Sequence, residues 1–237
     1  MPAELDALCF AAEDPDGLAH FWSDLLRWEP GRDPGVIVPT DDTGFRIRFE
    51  PTREPKVLLN LMHLELTSAY PEEQQQTVER ALALGAHHLD VGQLPEEGHV
   101  VLADPEGNEF CVIPAGSSFL ADCGFLGALS CDGSQAVGYF WAEALGWPLV
   151  WDQDEETAIR APRGGPKVTW GGPPLNPRSR REPHFDLAPP PGGDQQAEVD
   201  RLVALGATVV QAARGDGRVS MADPDGNAFC LLAPQER

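Results

Sequence analysis

Two histidines that open similar segments are the first candidates for chemistry. His63 begins a His-Leu-Glu-Leu segment, and His184 begins a His-Phe-Asp-Leu segment. A neutral imidazole can ligate a metal ion, or it can point into a cavity as a hydrogen-bonding group. The groups that would complete a metal site do not all recur with the two histidines. The recurrence therefore favours the hydrogen-bonding interpretation, and metal ligation stays open.

A single glutamate and a single cysteine are the next candidates. Glu109 directly follows the turn sequence Asp-Pro-Glu-Gly-Asn at 104–108. A carboxylate in a mostly apolar cavity has a raised pKa and can act as a ligand or a general base, whereas on a strand edge it is only solvated. Its counterpart in the second half is Ala228, so the fold does not need a carboxylate there. Cys9 is a possible soft ligand or nucleophile, although a buried inert thiol is far commoner.

Aromatic residues mark a second kind of candidate site. Trp151 and Trp170 have no tryptophan counterparts in the first half and lie on predicted strands. Rigid aromatic walls suit flat or cationic ligands, and ordinary packing is the alternative. Four other tryptophans recur on or near predicted helices and are expected in the core. They are Trp22, Trp28, Trp141 and Trp147.

An internal repeat organises the elements that must position these residues. Four segments of the first half recur in the same order 119 to 121 residues later. They begin at Ala19, His63, Glu79 and Ala103, and their counterparts begin at Gly138, His184, Asp200 and Ala222. Such a repeat predicts two copies of one domain. We expect domain 1 over residues 1–114, a linker over 115–123 and domain 2 over 124–237.

Each half divides again into two similar units. Apolar alternation predicts strands, and an apolar face with spacings of three and four residues predicts helices. Gly85 supplies a typical helix stop. In the first half we expect strands at 5–12, 35–38, 45–49, 58–66, 99–102 and 110–113, with helices after Asp14 and over 71–84. The predicted order is βαβββ, twice in each half.

Composition and charge exclude several function classes. The chain has 237 residues and a formal net charge of -21, with 17 basic and 38 acidic residues. Such acidity disfavours nucleic acids and anionic membranes and would attract a cationic small molecule. No apolar run is long enough to span a membrane. The five scattered cysteines do not form a disulfide framework, so we expect free thiols and a cytoplasmic location.

The combination of motifs resembles the vicinal-oxygen-chelate superfamily, which includes glyoxalases, bleomycin-resistance proteins and extradiol dioxygenases. The resemblance is found in the segments that begin at His63, at Leu82 (Leu-Ala-Leu-Gly-Ala) and at Asp104, and each of these segments has a counterpart in the second half. The resemblance covers nearly the whole chain. It implies an α+β fold of four βαβββ units, arranged as two tandem glyoxalase-like domains with curled mixed sheets around open cavities.

The resemblance also implies where a metal would bind in the enzymes of the superfamily. The matching positions in the first half are His63, Glu109 and, near the fourth strand, Glu50. The first-strand position is Ala7 or its neighbour Cys9 rather than the usual histidine. A divalent metal commonly takes three or four imidazole and carboxylate ligands, and this set is incomplete. A second-half metal site is not expected.

Three functions remain open from the sequence. The first is a metal-independent protein that binds or sequesters an aromatic or cationic organic molecule, with Trp151, Trp170 and His184 in one cavity and His63, Glu50 and Glu109 in the other. The second is a lyase, isomerase or dioxygenase with a divalent metal in domain 1, on His63, Glu109 and Glu50. The third is a metal-free biosynthetic enzyme with Glu109 as general base and His63 as oxyanion donor. Monomer and homodimer both stay open.

Overall fold

The computed structural model describes residues 2–172, 181–190, 192–213 and 217–234, and these form sixteen strands and four α-helices. The helices are α1 (Pro15–Leu26), α2 (Pro71–Ala83), α3 (Gln135–Leu145) and α4 (Gln195–Ala204). The first-half strands are β1 (Glu4–Ala12), β2 (Glu29–Pro30), β3 (Val36–Val38), β4 (Arg46–Pro51), β5 (Met62–Leu66), β6 (His87–His88), β7 (Val100–Ala103) and β8 (Glu109–Val112). The second-half strands are β9 (Leu126–Asp132), β10 (Leu149–Gln153), β11 (Glu156–Arg160), β12 (Lys167–Gly171), β13 (His184–Ala188), β14 (Thr208–Gln211), β15 (Val219–Ala222) and β16 (Ala228–Leu231).

The helix ends follow from local chemistry. Asp14 caps α1 because its side chain accepts a hydrogen bond from the Gly17 backbone N–H, at 3.1 Å. Ser134 caps α3 in the same way through the Val137 N–H. Such caps satisfy amide groups that have no partner within the helix. α3 ends at Gly146, whose φ of +64° is easily adopted only by glycine.

The predicted order of elements is confirmed, with local differences. The two-residue edge strands β2 and β6 have no apolar pattern and were not predicted from the sequence. The strand predicted at 58–66 begins only at Met62. The residues before it turn away from the sheet because Lys56 and the Asn60 backbone N–H bind the carboxylate of Glu109.

The strands form two open sheets of eight, and each sheet takes one unit from each half. Sheet A has the order β14-β15-β16-β13-β1-β4-β3-β2, and sheet B has the order β10-β11-β12-β9-β5-β8-β7-β6. The halves join through antiparallel pairs, with Cys9 opposite His184 in sheet A and His63 opposite Ser130 in sheet B. The α+β class and the tandem domains are confirmed. The cavities, however, lie on sheets shared by both halves rather than within one half each.

Strand alternation gives each sheet two unlike faces. The faces that pack against the helices contribute to one continuous core, in which Trp22 meets Phe110 at 5.1 Å and Trp141 meets Phe185 at 5.1 Å. The opposite faces carry polar side chains. We call these face A, which includes Cys9, Arg48, Glu50, His184 and Asp186, and face B, which includes His63, Glu65, Glu109, Cys111 and Ser130.

The repeated Asp-Pro-X-Gly-Asn sequences form tight turns, as predicted. In the first, the Asp104 N–H donates to the Asn108 carbonyl and Gly107 has a φ of +86°. The Asp104 side chain is fully buried and accepts a hydrogen bond from Trp22 Nε1 at 3.0 Å, so the turn also anchors α1. Asp223 and Trp141 repeat this contact at 3.2 Å. No helix among the described residues is long and apolar enough to cross a bilayer.

Candidate functional site

Face B opens into a cavity of about 350 Å³. The register brings its walls together, since β5 pairs with both β8 and β9. The titratable and polar side chains that line it come from three strands, β5, β8 and β9, and from the adjoining loops. They are Asn60, His63, Glu65, His99, Glu109, Cys111, Ser130 and Asp132. A cavity of this size suits a small organic molecule.

His63 is a neutral hydrogen-bonding group in this cavity. Burial lowers its pKa, and the nearby charge of Glu109 only partly opposes that shift. Its Nε2 lies 4.0 Å from Glu65 Oε1. A histidine held neutral at pH 7 can donate from one ring nitrogen and accept at the other.

Glu109 is already paired. Its Oε1 lies 2.9 Å from Lys56 Nζ, and its Oε2 accepts a hydrogen bond from the Asn60 N–H at 3.1 Å. Both charged side chains are about nine-tenths buried. Lys56 also donates to the Leu58 carbonyl at 2.6 Å. The carboxylate therefore holds the 56–60 segment against the beginning of β8, and its charge is already balanced by Lys56.

Two other carboxylates of the cavity have no such counterion within the described part of the chain. Among the residues described, neither Glu65 nor Asp132 has a lysine or arginine within ion-pair distance. Burial raises the pKa of Glu65, and burial together with the charge of Glu182 raises the pKa of Asp132. Partly buried carboxylates without a counterion destabilise the fold and commonly mark functional positions.

Face A differs because the protein's own arginines cross it. Arg48 pairs with the buried carboxylate of Asp186, and Arg218 lies 2.7 Å from Glu50 and 3.8 Å from Asp186. Arg48 also reaches Asp6 at 3.6 Å. Each carboxylate in this group therefore has at least one guanidinium partner.

Comparison of equivalent positions in the two halves shows why arginines cross face A and leave face B open. Arg48 pairs in register with Cys9 just as Thr169 pairs with Ser130, so the two positions are equivalent. Counting along the repeat, Arg218 corresponds to His99. The long cationic side chains of Arg48 and Arg218 on face A are therefore replaced on face B by the shorter side chains of Thr169 and His99. Glu65, the counterpart of Asp186, keeps its carboxylate without either arginine.

Among the residues that the structure describes, the candidate metal ligands are already committed to other partners. On face A, Cys9, His184 and Asp186 bring one donor atom each within 4.8 Å of one another. Burial and the charge of Asp186 raise the pKa of the Cys9 thiol, and Asp186 already binds Arg48. A metal site needs deprotonated, uncommitted ligands. On face B, Glu109 is committed to Lys56.

The residues named from the sequence fall into three places. His63 and Glu109 meet in the face B cavity, whereas Glu50 and His184 lie together on face A, so Glu50 does not join His63. Trp151 lies on sheet B in the row of Thr169 and Ser130, and its ring meets Phe119 edge-on. Trp170 lies on the other face of sheet B, almost fully buried, stacked on Trp141 at 6.3 Å.

Sequence reasoning missed Glu65, Asp132 and Lys56. Glu65 was detectable, because it lies two residues after His63 on a predicted strand and so shares its face. Asp132 ends a strand whose partner in the other half could not be chosen from sequence. Lys56 precedes a segment predicted as strand. His99 was expected at the surface, and it instead lines the cavity.

Comparison with known proteins supports this architecture. The family model for the glyoxalase-like domain matches residues 7–113 and again 128–232. Glyoxalase I from Zea mays superposes with a TM-score of 0.66 at 14% identity, over 97% of this chain and 92% of that chain. A putative dioxygenase from Bacillus subtilis superposes with a TM-score of 0.61 at 12% identity, over 99% of this chain and 86% of that chain.

At such identities the solved structures show the fold alone, and comparison with curated protein sequences gives no match. The family model is the firmer finding, because it covers most of both halves. The chain therefore belongs to the glyoxalase-like domain family of the vicinal-oxygen-chelate superfamily, as two tandem domains.

Proposed function

We propose that this protein binds a small organic cation in the face B cavity without a resident metal. The observation that carries the proposal is the contrast between the two equivalent faces. On face A, Asp186 is neutralised by Arg48 and lies near Arg218, whereas on face B the equivalent Glu65 has no arginine or lysine partner among the described residues. A ligand cation would supply the missing positive charge.

The shape and chemistry of the cavity agree with an aromatic or partly apolar cation. Valine, leucine and isoleucine side chains line it beside the carboxylates of Glu65 and Asp132. Neutral His63 and Ser130 add hydrogen-bonding groups that would orient the ligand. Sequestration of such a molecule is the simplest function for this site, and we place it in a reducing, cytoplasmic compartment because all five cysteines are free thiols.

The two enzymatic alternatives have weaker support. A metal-dependent reaction on His63, Glu109 and Glu50 would need Glu109 to leave Lys56, and it would need Glu50 to cross from face A. A metal-free reaction with Glu109 as general base meets the same ion pair, because both oxygens of that carboxylate already accept hydrogen bonds.

A matched pair of probes tests the proposal. Benzamidine carries a planar amidinium resembling the arginine head groups of face A, and benzamide is its nearly isosteric neutral analogue. We expect calorimetry in the presence of a metal chelator to detect benzamidine binding, with benzamide at least about tenfold weaker. A charge-assisted contact is worth about 1.5 to 3 kcal/mol, which is roughly ten- to hundredfold in affinity.

Two single substitutions test whether benzamidine binds at Glu65. Glu65→Gln should weaken benzamidine by at least about tenfold, because it removes the uncompensated charge. Asp24→Asn on the exposed side of α1 makes the same change in net charge outside the cavity and should leave the affinity unchanged. Equal effects of the two variants would refute the proposed site, since the attraction would then come from overall acidity.

A further inference from the structure

Two loop segments frame the mouth of the face B cavity. Residues 52–61 connect β4 to β5, and residues 89–99 connect β6 to β7. Each segment contributes to the wall of the cavity, the first through Leu59 and the second through Val91 and His99. A ligand that is longer than the cavity would therefore lie against these two segments.

Both segments expose large apolar side chains to water. Val57, Leu59, Val91 and Leu94 are each at least 40% exposed, and we call these four side chains the apolar rim. They are four of the eleven large hydrophobic side chains that are exposed in the described part of the chain. Single exposed apolar residues are normal on a protein surface, whereas a group of them around one opening commonly marks a binding site.

Contacts with the rest of the fold hold the two segments in place. Glu109 binds the first segment through Lys56. In the second segment, the Gly98 carbonyl accepts a hydrogen bond from Gln74 Nε2 at 3.0 Å. The rim is therefore presented to solvent by anchored segments on both of its sides.

Comparison with the second half shows that the repeat does not require apolar residues on the first segment. Counting along the repeat, the positions of Val57 and Leu59 are taken by Arg178 and Arg180. Exposed apolar side chains contribute little to the stability of a fold, because folding does not remove them from water. Their presence on the half that opens into the face B cavity agrees with a role in binding.

The charges beside the rim favour one kind of occupant. Residues 89–99 include the exposed side chains of Asp90, Glu96 and Glu97 and contain no lysine or arginine. Together with the formal net charge of -21, these carboxylates would repel a second copy of the chain and attract a cation. A positively charged molecule with an apolar chain fits both the charge and the exposed apolar surface.

We propose that the ligand of face B is an amphiphilic cation, whose charged head lies beside Glu65 in the cavity and whose alkyl or aryl tail lies along the apolar rim. This inference rests on the proposed function for the charged head, and it adds the tail. Burial of the tail against Leu59 and Val91, which line the cavity mouth, removes apolar surface of both partners from water.

Four probes measure the contributions of head and tail separately. They are benzamidine, benzamide and the 4-butyl derivative of each. The affinity ratio of amidine to amide reports on the charged head, and the ratio of butyl derivative to parent reports on the tail. A fully buried methylene raises affinity about fourfold and a half-buried one about twofold, so we expect calorimetry to show a gain of at least about tenfold from the butyl chain.

Matched substitutions test whether the tail lies on the rim. Leu59 is 40% exposed, and Leu149, on the edge strand β10 of sheet B, is 39% exposed. Leu59→Ser should lower the gain from the butyl chain at least about threefold, whereas Leu149→Ser should leave that gain within about 1.5-fold of its value in the unaltered protein. Val91→Ser and Val209→Ser repeat the comparison with two exposed valines, and circular dichroism verifies that each variant is folded.

The possible outcomes distinguish this inference from the proposed function. A gain from the butyl chain below about twofold, or equal losses of that gain in Leu59→Ser and Leu149→Ser, refutes the tail site, while a preference for amidine over amide keeps the proposed function. Equal affinity for amidine and amide with an intact butyl gain refutes the charged head and keeps the tail site, and no binding of any probe refutes both. A dimer that dissociates in Leu59→Ser but not in Leu149→Ser would also overturn the inference, because a second copy of the chain would then cover the rim.

Discussion

The ion pair between Lys56 and Glu109 gives a direct energetic prediction. Its atoms are 2.9 Å apart, and the side chains are only 8% and 10% exposed. Lys56→Met leaves Glu109 with one remaining hydrogen bond, from Asn60, in a mostly apolar setting. Removing one partner of a buried pair costs about 3 to 5 kcal/mol. For a chain of this length, about 3 kcal/mol corresponds to a fall of roughly 6 to 12 °C in Tm.

Urea and thermal unfolding, followed by tryptophan fluorescence and circular dichroism, measure this loss. The double variant Lys56→Met with Glu109→Gln should recover more than half of it, because no charge is left buried without a partner. Arg46→Met provides a comparison at a more exposed pair, where Asp6 keeps Arg48, and should cost less than about 1 kcal/mol. A Lys56→Met loss below that of Arg46→Met would refute the view that Glu109 is committed to a structural ion pair.

Burial raises the pKa of Glu65, so the folded state favours the protonated carboxyl and the free energy of unfolding falls as pH rises above about 4.5. Glu65→Gln should therefore be more stable than the unaltered protein at pH 7. Urea titrations should show that this difference in stability vanishes near pH 4. Gly138→Ala places a methyl carbon 1.8 Å from Thr157 Oγ1 and should lower the free energy of unfolding by about 1 to 3 kcal/mol. The control Gly124→Ala meets nothing within 4 Å and should leave the free energy of unfolding nearly unchanged in the same assay. Arg48→Met removes the arginine that binds Asp186 on face A and should raise Ni²⁺ affinity at least about tenfold in calorimetry. An unchanged affinity would show that this arginine is not what keeps divalent ions away.

The fold was largely predictable because its signals are local. Apolar spacing predicted α1, and Gly85 and the Asp-Pro-X-Gly-Asn turns marked where elements end. Because the second half repeats these patterns, each prediction of a helix, strand or turn was supported twice. Pairing between the halves was not predictable, because the sequence of a strand does not specify which other strand it will pair with. That pairing decides which side chains share a cavity, and it separates Glu50 from His63.

The candidate site was predictable only in part. His63 and Glu109 were placed correctly on neighbouring strands by their motifs. The partner that changes the role of Glu109 is Lys56, which lies 53 residues away in sequence, in a segment without a pattern. Trp170 carries the same type of signal as Trp151, yet the alternation of its strand turns it towards Trp141.

Face A carries its own arginines at Asp186 and face B carries none at Glu65 within the described part of the chain, and the position of a bound cation tests the consequence of that difference most directly. Crystals soaked with benzamidine should show the amidinium within hydrogen-bonding distance of Glu65 in the face B cavity, with the ion pairs of Arg48 and Arg218 undisturbed. An amidinium bound at Asp186 on face A in place of an arginine, or a metal ion held between His63 and Glu109 after dialysis against a chelator, would contradict it.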